Sequence, residues 1–477
     1  MRIKIIRIII IGLFILIALD LFYVQVIRGW YFFHLSTNNR IRIVPLEGWR
    51  GRIKDRNGKI LADRRVAYDV MITPQEVIDP EALFRFLGKV LQDDPKRIAE
   101  KYAERKYAPF APVIVAEDIS RAQAIILDEN KYLYPSLIVQ EGFKRFYPLG
   151  KNSAHVLGYV GKVNQSRQKQ SKEYGYSPQS VVGYSGVEEY YDAYLKGGEG
   201  GLQIEVNSRG QQVRLLSLKE PTQGQDITLT IDTDIQEIAG GSLGDQTGAI
   251  IVMDMDSGEV LGLTSSPAYD PNIFMQPDGQ KQVASLFKNR SAPLLNRAIK
   301  GLFPPGSIFK IPLAIAALDS QKIKPQTTYS CKGFHDLGGR KFLCTHIHGP
   351  QDLIQSIAHS CNVYYYRVGL LLGPDMMYRY ARQLGLGNLT YIDLPYEESG
   401  HLPSRQQRSS RGKGHWYAGD TLNLSIGQGD LLATPLQLVR MMATVASDGR
   451  EVQPHVIKAI NGREVDQYNF KKVHRIN

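Results

Sequence analysis

The first thirty residues place the strongest constraint on what this chain can fold into. Arg2, Lys4 and Arg7 precede an apolar stretch that reaches Ile27, with Asp20 as its one acidic residue. About 20 apolar residues in a helix cross a bilayer, so the stretch predicts a membrane anchor. The basic residues favour a cytoplasmic N-terminus, and the lack of a small-residue cleavage site favours an uncleaved anchor over a signal peptide. We therefore expect the rest of the chain to lie outside the cytoplasm.

The rest of the 477-residue chain has the composition of a globular protein, with 43% hydrophobic and 22% charged residues overall. This length allows two or three domains with sizeable cores. The net charge of +11 suits an acidic partner or surface. Because no zinc-finger, homeodomain or RNA-binding signature accompanies the charge, we expect no nucleic-acid partner.

The region after the anchor predicts strands with a few helices. Apolar and polar residues alternate around Asn57-Gly58, which is a strong hairpin signal. Residues 78–107 predict charged amphipathic helices, and the polar segment 163–180 predicts a loop. A cluster of turn-forming residues at 217–226 predicts a boundary.

Beyond that boundary the pattern changes from strands to helices. A strand and a helix follow Asp226, and a hairpin is predicted to turn at Asp256-Ser257-Gly258. Helices are expected to dominate from 307 to about 385. Strands that lead into a helical cluster predict an α+β or α/β domain with a sheet backed by helices.

Ser307 and Lys310 are the first candidate catalytic pair. They lie where a Pro-Pro-Gly elbow meets an apolar run at 311–318. Residues three apart share a helix face, so the amine can reach the hydroxyl, and a partly desolvated lysine can act as its base. The alternative is that Ser307 only caps the helix and Lys310 extends into solvent. Ser-x-x-Lys is a weak signal by itself, since this chain has four matches, at Ser166, Ser285, Ser307 and Ser410.

A second polar group follows 53 residues later, in the sequence Ser360-Cys361-Asn362. It comes after a short helix that is expected to start near Asp352. Ser360 offers a second hydroxyl that can relay a proton, and Asn362 offers an amide that can hold a substrate carbonyl.

Together these segments resemble the class B penicillin-binding transpeptidases over almost the whole chain. "NRAIKGLFPPGSIFKI" is similar to the family's first motif and "SCNVYYYRVG" to its second. "RGRIKDRNGKILA" and "GYSGVEEYYDAYLKGGEG" are similar to the start and end of its non-catalytic pedestal, and "WYAGDTLNLSIGQGDLLATPLQLVRMMA" to a later helical segment. The anchor "LDLFYVQVIRG" and "IEVNSRGQQVR" are most similar to elongation members, with division-type members as the alternative.

The resemblance implies an α+β architecture in three parts. Residues 1–30 would be the cytoplasmic tip and transmembrane anchor, and 31–217 a mostly β pedestal or dimerisation domain. Residues 226–477 would be a penicillin-binding/β-lactamase-like transpeptidase domain, with a sheet flanked by helices. The protein would be single-pass in the inner membrane with its bulk in the periplasm.

The resemblance also implies a reaction and its partners. Ser307 would attack the D-Ala–D-Ala carbonyl of a peptidoglycan stem peptide, with Lys310 as its base. Ser360 would pass the proton to the leaving amine, and Asn362 would bind the donor stem. The backbone N–H of Ser307 would donate one of the hydrogen bonds that stabilise the oxyanion. Transpeptidation or carboxypeptidation would follow, β-lactams would bind as inhibitors, and a membrane glycan polymerase and elongation-complex proteins would be partners.

The family's third motif, Lys-[Ser/Thr]-Gly, does not occur in this sequence, which ends 48 residues after Gly429. In the family, that motif lies beyond the "SIGQG" segment and completes the oxyanion hole. The sequence therefore leads us to expect a C-terminally incomplete and poorly active chain. Two alternatives of other kinds stay open: a serine β-lactamase, which shares the Ser-x-x-Lys chemistry, and a non-catalytic scaffold.

All three cysteines fall within one short stretch. Cys331, Cys344 and Cys361, with His348, form the pattern Cys-x12-Cys-x3-His-x12-Cys, and His346 is a substitute ligand. Three thiolates and an imidazole suit a closed tetrahedral Zn²⁺ site, and some Gram-negative relatives resemble this with a zinc beside the second motif. The alternative is one disulfide plus a free thiol, which an oxidising compartment encourages.

Overall fold

The computed structural model describes residues 2–30, 41–46, 48–106, 111–163, 180–206, 212–277, 279–406 and 415–465. Within these ranges, the α-helices are α1 (Arg2–Phe22), α2 (Pro80–Leu91), α3 (Pro95–Arg105), α4 (Arg121–Glu129), α5 (Ala154–Leu157), α6 (Gly186–Tyr190), α7 (Asp192–Leu195), α8 (Thr233–Leu243), α9 (Gln280–Lys288), α10 (Arg297–Lys300), α11 (Lys310–Asp319), α12 (Leu353–Ala358), α13 (Asn362–Gln383), α14 (Ala418–Ser425) and α15 (Pro435–Ala446).

The strands in the same ranges are β1 (Ile41–Leu46), β2 (Ile53–Lys54), β3 (Ile60–Ile72), β4 (Val113–Ile119), β5 (Leu137–Phe146), β6 (Val160–Lys162), β7 (Val181–Gly183), β8 (Gly200–Val206), β9 (Gln212–Lys219), β10 (Ile227–Leu229), β11 (Gly248–Met253), β12 (Val260–Ser266), β13 (Tyr329–Cys331), β14 (Phe334–Leu337), β15 (Arg340–Leu343), β16 (Gly349–Gln351), β17 (Ile457–Ile460) and β18 (Arg463–Glu464).

The N-terminal segment is helical along the apolar stretch. Helix α1 continues into a π-helical turn at Tyr23–Ile27. The window Ile10–Ile27 has a mean hydropathy of 2.5, and none of it is buried against the rest of the chain. At 1.5 Å per residue, 18 residues rise about 27 Å, close to the thickness of a bilayer's hydrocarbon core. The helix is therefore long and apolar enough to cross a membrane, as the sequence predicts.

The chain divides into two compact units. The first comprises residues 1–49, 66–143 and 197–224. It holds a three-stranded antiparallel sheet in the order β1-β8-β9. Its apolar core lies where β4 and the later residues of β3 pack with α2, α3 and α4. The amphipathic helices predicted at 78–107 are α2 and α3, each with an aspartate N-cap and a proline in its first turn.

The second unit comprises residues 50–65, 144–196 and 225–477. Its sheet runs β18-β17-β10-β2-β3, with β2 parallel to β10. The hairpin predicted at Asn57-Gly58 joins β2 to β3, where Gly58 takes a φ of +89° that favours glycine. The hairpin predicted at 256–258 joins β11 to β12. Stretches predicted to belong to the pedestal thus lie in the same compact unit as the C-terminal half.

A helical cluster forms one of the apolar cores of the second unit, around α11 and α13. Phe309, Leu313 and Tyr364 are at most 1% exposed there. The expectation that helices dominate from 307 to 385 is wrong for residues 329–351, which form the short strands β13 to β16. These strands contain three or four residues each, too few for an alternating pattern to distinguish them from loop. The predicted loop 163–180 lies mostly outside the described residues.

Candidate active site

Ser307 lies on a backbone elbow held from both sides. Phe303 exchanges two backbone hydrogen bonds of 2.9 Å with Ala433, and the Gly306 N–H donates to the Gly427 carbonyl at 2.9 Å. Gly306 has a φ of +58°, which a glycine adopts without strain. The chain then forms a 3-10 turn (Gly306–Phe309) that leads directly into α11. Ser307 is exposed, as a nucleophile must be.

Ser360 lies in a tight turn between two helices. Asp352 caps α12 with a reciprocal capping box, and α13 begins at Asn362. Between the helices Ser360 takes a φ of +51°. A residue with a Cβ pays about 1–2 kcal/mol for this left-handed conformation, so the surrounding contacts must hold it there.

The turn brings Ser360 and Asn362 against Ser307 and Lys310. The Oγ atoms of Ser307 and Ser360 are 2.8 Å apart. Lys310 Nζ donates to Ser360 Oγ at 2.9 Å and to the Ser360 carbonyl at 2.7 Å. It also donates to Asn362 Oδ1 at 2.8 Å. The structure therefore brings all four predicted residues together, but Lys310 is connected to Ser307 through the Ser360 hydroxyl.

Lys310 is the buried member of this group. It is only 2% exposed, and burial lowers the pKa of its amine to about 8. Its three acceptors match the three donors of an ammonium group, and the Tyr365 ring lies 5.6 Å from Nζ. Loss of one proton frees a lone pair on Nζ that can accept from Ser360. The lysine is thus suited to act as a base near neutral pH.

The other Ser-x-x-Lys matches have no such surroundings in the described part of the chain. Ser285 lies on α9 and donates to the Gln282 carbonyl of its own helix. Ser166 and Ser410 lie outside the described residues.

The four predicted metal ligands converge beside the second motif. The ligand atoms of Cys331, Cys344, His348 and Cys361 all lie within 4.8 Å of one another. His348 Nδ1 is 3.6 Å from the sulfurs of both Cys331 and Cys344. The three cysteines are free thiols, and Cys361 immediately precedes the first residue of α13. The donor set and its compactness fit a tetrahedral zinc site.

Two features of the site were missed by sequence reasoning. Gly427 lies against the elbow so closely that a Cβ there would be 2.1 Å from the Gly306 carbonyl oxygen. His359 and Gln351 form a hydrogen bond of 2.7 Å directly before Ser360. Gly427 is part of the "SIGQG" segment, which carries a family resemblance but no local sign of this contact. Nothing in the sequence around Gln351 indicates its partner.

Comparison with known proteins assigns both halves of the chain to described families. Residues 248–476 match the penicillin binding protein transpeptidase domain. Residues 45–229 match the penicillin-binding protein dimerisation domain. The two matches cover most of the chain after the apolar helix.

Full-length relatives and a solved structure give the same assignment. The chain is 33% identical to the peptidoglycan D,D-transpeptidase MrdA of Acinetobacter baumannii, over 92% of this chain and 66% of the relative. It is 32% identical to MrdA of Escherichia coli K12, over 94% of this chain and 72% of the relative. It also matches the Helicobacter pylori penicillin-binding protein PBP2 solved in complex with MreC, with 28% identity and a TM-score of 0.78 over 91% of this chain and 81% of that one.

Proposed function

The chain belongs to the class B penicillin-binding proteins of the PBP2 (MrdA) type, and we propose that it crosslinks peptidoglycan stem peptides through an acyl-enzyme on Ser307. The observation that carries the proposal is the chain of contacts from Ser307 Oγ through Ser360 Oγ to Lys310 Nζ. The matched families and the MrdA relatives support the same reaction.

In the acylation half-reaction, Ser307 Oγ attacks the carbonyl carbon between the two D-Ala residues. Its proton passes to Ser360 Oγ, whose own proton passes to neutral Lys310. The backbone N–H of Ser307 lies in the first turn of a helix, where N–H groups lack intrahelical partners, and would donate to the oxyanion. When the C–N bond breaks, Lys310 returns the proton through Ser360 Oγ to the departing D-Ala amine. Asn362 Oδ1 accepts a hydrogen bond from Lys310. The Nδ2 group of Asn362 is therefore the one that would donate to a carbonyl of the donor stem.

In the second half-reaction, an amine from a neighbouring stem attacks the ester carbonyl. Lys310, neutral again, takes the proton of this amine through Ser360. The C–O bond to Ser307 breaks, and the proton returns to Ser307 Oγ. Attack by water instead of the amine would give carboxypeptidation. A β-lactam enters the same acylation step, but its leaving amine stays attached.

The relatives favour an elongation enzyme over a division enzyme. The matched relatives are MrdA transpeptidases and a PBP2, which agrees with the resemblance of the sequence to elongation members. The PBP2 of Helicobacter pylori was solved with MreC, and we propose elongation-complex proteins of this kind, including a membrane glycan polymerase, as partners here. The apolar helix α1 fits a single-pass inner-membrane protein. Its flanking basic residues support a cytoplasmic N-terminus and a periplasmic catalytic unit.

We further propose that Cys331, Cys344, His348 and Cys361 hold a structural Zn²⁺. The ion would have a structural role only, because four protein ligands leave no coordination position open for a substrate or water. The Asn362 backbone N–H donates to Cys344 Sγ at 3.2 Å, so the cluster touches the second motif directly. Elemental analysis of the purified protein should find about one zinc per chain, and Cys344→Ser should reduce it sharply. A zinc-free protein with a Cys331–Cys344 disulfide would contradict this assignment.

The alternative functions are separated by one labelling experiment. The purified chain is incubated with a fluorescent penicillin, and the adduct is followed over hours. A transpeptidase keeps the penicilloyl ester for hours, whereas a β-lactamase hydrolyses it within the same period. A non-catalytic scaffold forms no adduct. Ser307→Ala serves as the blank, and an adduct that survives this substitution would contradict the assignment of the nucleophile.

A further inference from the structure

Ser360 connects Ser307 to Lys310 from a backbone conformation that must be imposed on it. Its φ of +51° is rare for a residue with a Cβ. Several backbone hydrogen bonds define the turn, including Cys361 N–H to the Ser356 carbonyl at 2.9 Å and Ser360 N–H to the Ile357 carbonyl at 3.1 Å. On the Ser360 residue itself, the Lys310 amine holds the carbonyl. The side chain of the preceding residue, His359, makes a further contact that helps to fix this turn.

That preceding residue, His359, is tied to the buried side chain of Gln351. His359 Nδ1 lies 2.7 Å from Gln351 Oε1. Gln351 is 3% exposed, and its Nε2 donates to the Pro350 carbonyl at 2.7 Å and to the His348 carbonyl at 3.1 Å. Both amide protons are thereby used, so the oxygen faces the histidine. An amide oxygen only accepts, and His359 must therefore carry its proton on Nδ1.

Gln351 is itself fixed by the strand that carries it. It lies on β16, opposite Tyr329 of β13, and β13 and the segment before β16 carry Cys331 and His348. The Gln351–His359 hydrogen bond thus connects the strands beside the candidate metal ligands to the turn of Ser360. Neither Gln351 nor His359 is itself one of those ligands. The His359 ring also lies parallel to the His348 ring, with centroids 5.7 Å apart.

We propose that Gln351 and His359 are positioning residues for the reaction at Ser307. Their hydrogen bond holds the peptide that leads into Ser360 and so keeps the Ser360 hydroxyl between Ser307 and Lys310. The expected effect on the reaction rate rests on the proposed acylation of Ser307. The expected effect on the conformation of Ser360 does not depend on that function. His359 touches none of the reacting atoms, and it acts through the conformation of the residue that follows it.

The test compares two substitutions of His359, which is exposed and therefore tolerant of change. His359→Leu removes the donor and keeps apolar bulk. His359→Asn keeps an N–H close to the position of Nδ1 but removes the imidazole ring. The measured quantity is the second-order rate constant for acylation by a fluorescent penicillin, with Ser307→Ala as the blank. We expect His359→Leu to be about 3- to 10-fold slower than the unsubstituted chain, the usual range for one lost hydrogen bond, and His359→Asn to be within about twofold of it.

A matched control separates positioning from stability. Gln355→Ala removes one half of the capping box of α12 and leaves the contacts of His359 in place. It should lower the thermal midpoint without slowing acylation. The proposal is overturned if His359→Leu acylates at the unsubstituted rate. It is also overturned if His359→Asn is as slow as His359→Leu, because the stacked ring and not the hydrogen bond would then be responsible.

A crystal structure of the His359→Leu protein gives a readout that does not depend on acylation. We expect Ser360 to leave the left-handed region and the distance from Lys310 Nζ to Ser360 Oγ to exceed the hydrogen-bond range. An unchanged Ser360 would overturn the proposal even if the rate fell. If the unsubstituted chain forms no adduct at all, the proposed function fails, and these structures still decide whether the pair positions Ser360.

Discussion

At the scale of single residues, the proposed role of Lys310 as the base makes acylation depend on the protonation state of its amine. Burial lowers the pKa of Lys310 to about 8, so the amine is mostly charged at pH 7 and neutral above pH 9. A charged lysine cannot accept the proton of Ser307. The acylation rate should therefore rise about tenfold per pH unit below pH 8 and level off above it.

This pH dependence is measured as the second-order rate constant of β-lactam acylation between pH 6 and 9.5. Lys310→Arg is the control, because a guanidinium stays protonated throughout this range, and its residual rate should show no such rise. A rate that is flat or falls as the pH rises through 8 would contradict the role of Lys310 as the base.

His155 provides a prediction about stability. It is 7% exposed, and burial lowers its pKa to about 4. Between pH 6.5 and 4 the unfolded chain binds a proton that the folded chain does not, so stability falls as the pH falls through this window. The contribution lost between pH 7 and pH 5 is about 2 kcal/mol. Urea unfolding at both pH values measures it, and His155→Gln should show a loss smaller by that amount. Equal losses in both proteins would exclude His155 as the cause.

At the same scale, the sequence predicts which candidate residues lie in the site but not how they are hydrogen-bonded to one another. The elbow and the apolar run after it distinguish Ser307 and Lys310 from the other Ser-x-x-Lys matches, and the family resemblance makes them the candidate pair. The spacing of the cysteines and His348 predicts a cluster that the structure brings together. The hydroxyl of Ser360 between Ser307 and Lys310 depends on a turn held by Lys310, 50 residues away. Its left-handed conformation has no local signal, because serine is not a residue that favours it.

At the scale of elements, the loop that carries Gly427 packs directly against the elbow that carries Ser307. A Cβ on Gly427 would be 2.1 Å from the Gly306 carbonyl oxygen, so Gly427→Ala must displace one of the two segments. We expect acylation of Ser307 to slow by at least about tenfold, the effect of a misplacement near 1 Å. Stopped-flow labelling of the purified protein measures this.

Gly429→Ala is the matched control for this substitution. Gly429 has a φ of +81° and Gly427 a φ of +71°, so alanine meets similar backbone strain at both. A Cβ on Gly429 would lie 3.5 Å from Asn423 Cβ, an ordinary contact. If both variants slow acylation equally, the close approach to Gly306 is not what positions Ser307.

Among the elements, the long and periodic ones could be predicted and the short ones could not. Helices α2 and α3 and the hairpins at 55–58 and 254–258 follow from caps, periodicity and turn residues. Strands β13 to β16 are too short for a pattern, and they are ordered by contacts with α13 and the cysteine cluster. Tyr366 OH, for example, donates to the Leu343 carbonyl at 3.1 Å.

At the scale of the whole molecule, a buried charge network joins distant parts of the chain within the second unit. Glu188 is fully buried and pairs with Arg50 at 2.6 Å and Arg145 at 2.7 Å. Burial would raise the pKa of Glu188, but the two guanidinium groups hold it below its ordinary value. Tyr147 OH also donates to this carboxylate, at 3.2 Å. The network fixes the segments 50–65 and 144–196 to one another.

Glu188→Gln should therefore destabilise the protein by about 3–5 kcal/mol, because it removes the carboxylate that pairs with buried Arg145 and leaves Arg50 with Asp192 alone. The thermal midpoint and urea unfolding measure the loss. Asp256→Asn is the control, since Asp256 pairs with Arg450 on the surface, where both side chains are more than half exposed, and should cost less than about 1 kcal/mol. A Glu188→Gln protein no less stable than this control would show that the network does not hold the unit together.

The alternation of the chain between the two units along its sequence is the whole-molecule feature that the sequence did not reveal. The cluster of turn-forming residues at 217–226 predicts a single domain boundary along the chain. The parallel pairing of β2 with β10, in which Ile53 lies opposite Ile227, brings residues from the start of the predicted pedestal into the sheet of the second unit. Both strands are only two or three residues long, and such a pairing between distant segments has no local signature.

The mass of the protein after exposure to a β-lactam tests the assignment of Ser307 as the nucleophile most directly. We expect a single covalent adduct with the mass of the intact β-lactam, located by peptide mapping on Ser307 and absent from Ser307→Ala. An adduct on a residue other than Ser307, or an adduct that survives Ser307→Ala, would contradict the assignment of Ser307 as the nucleophile of a transpeptidase.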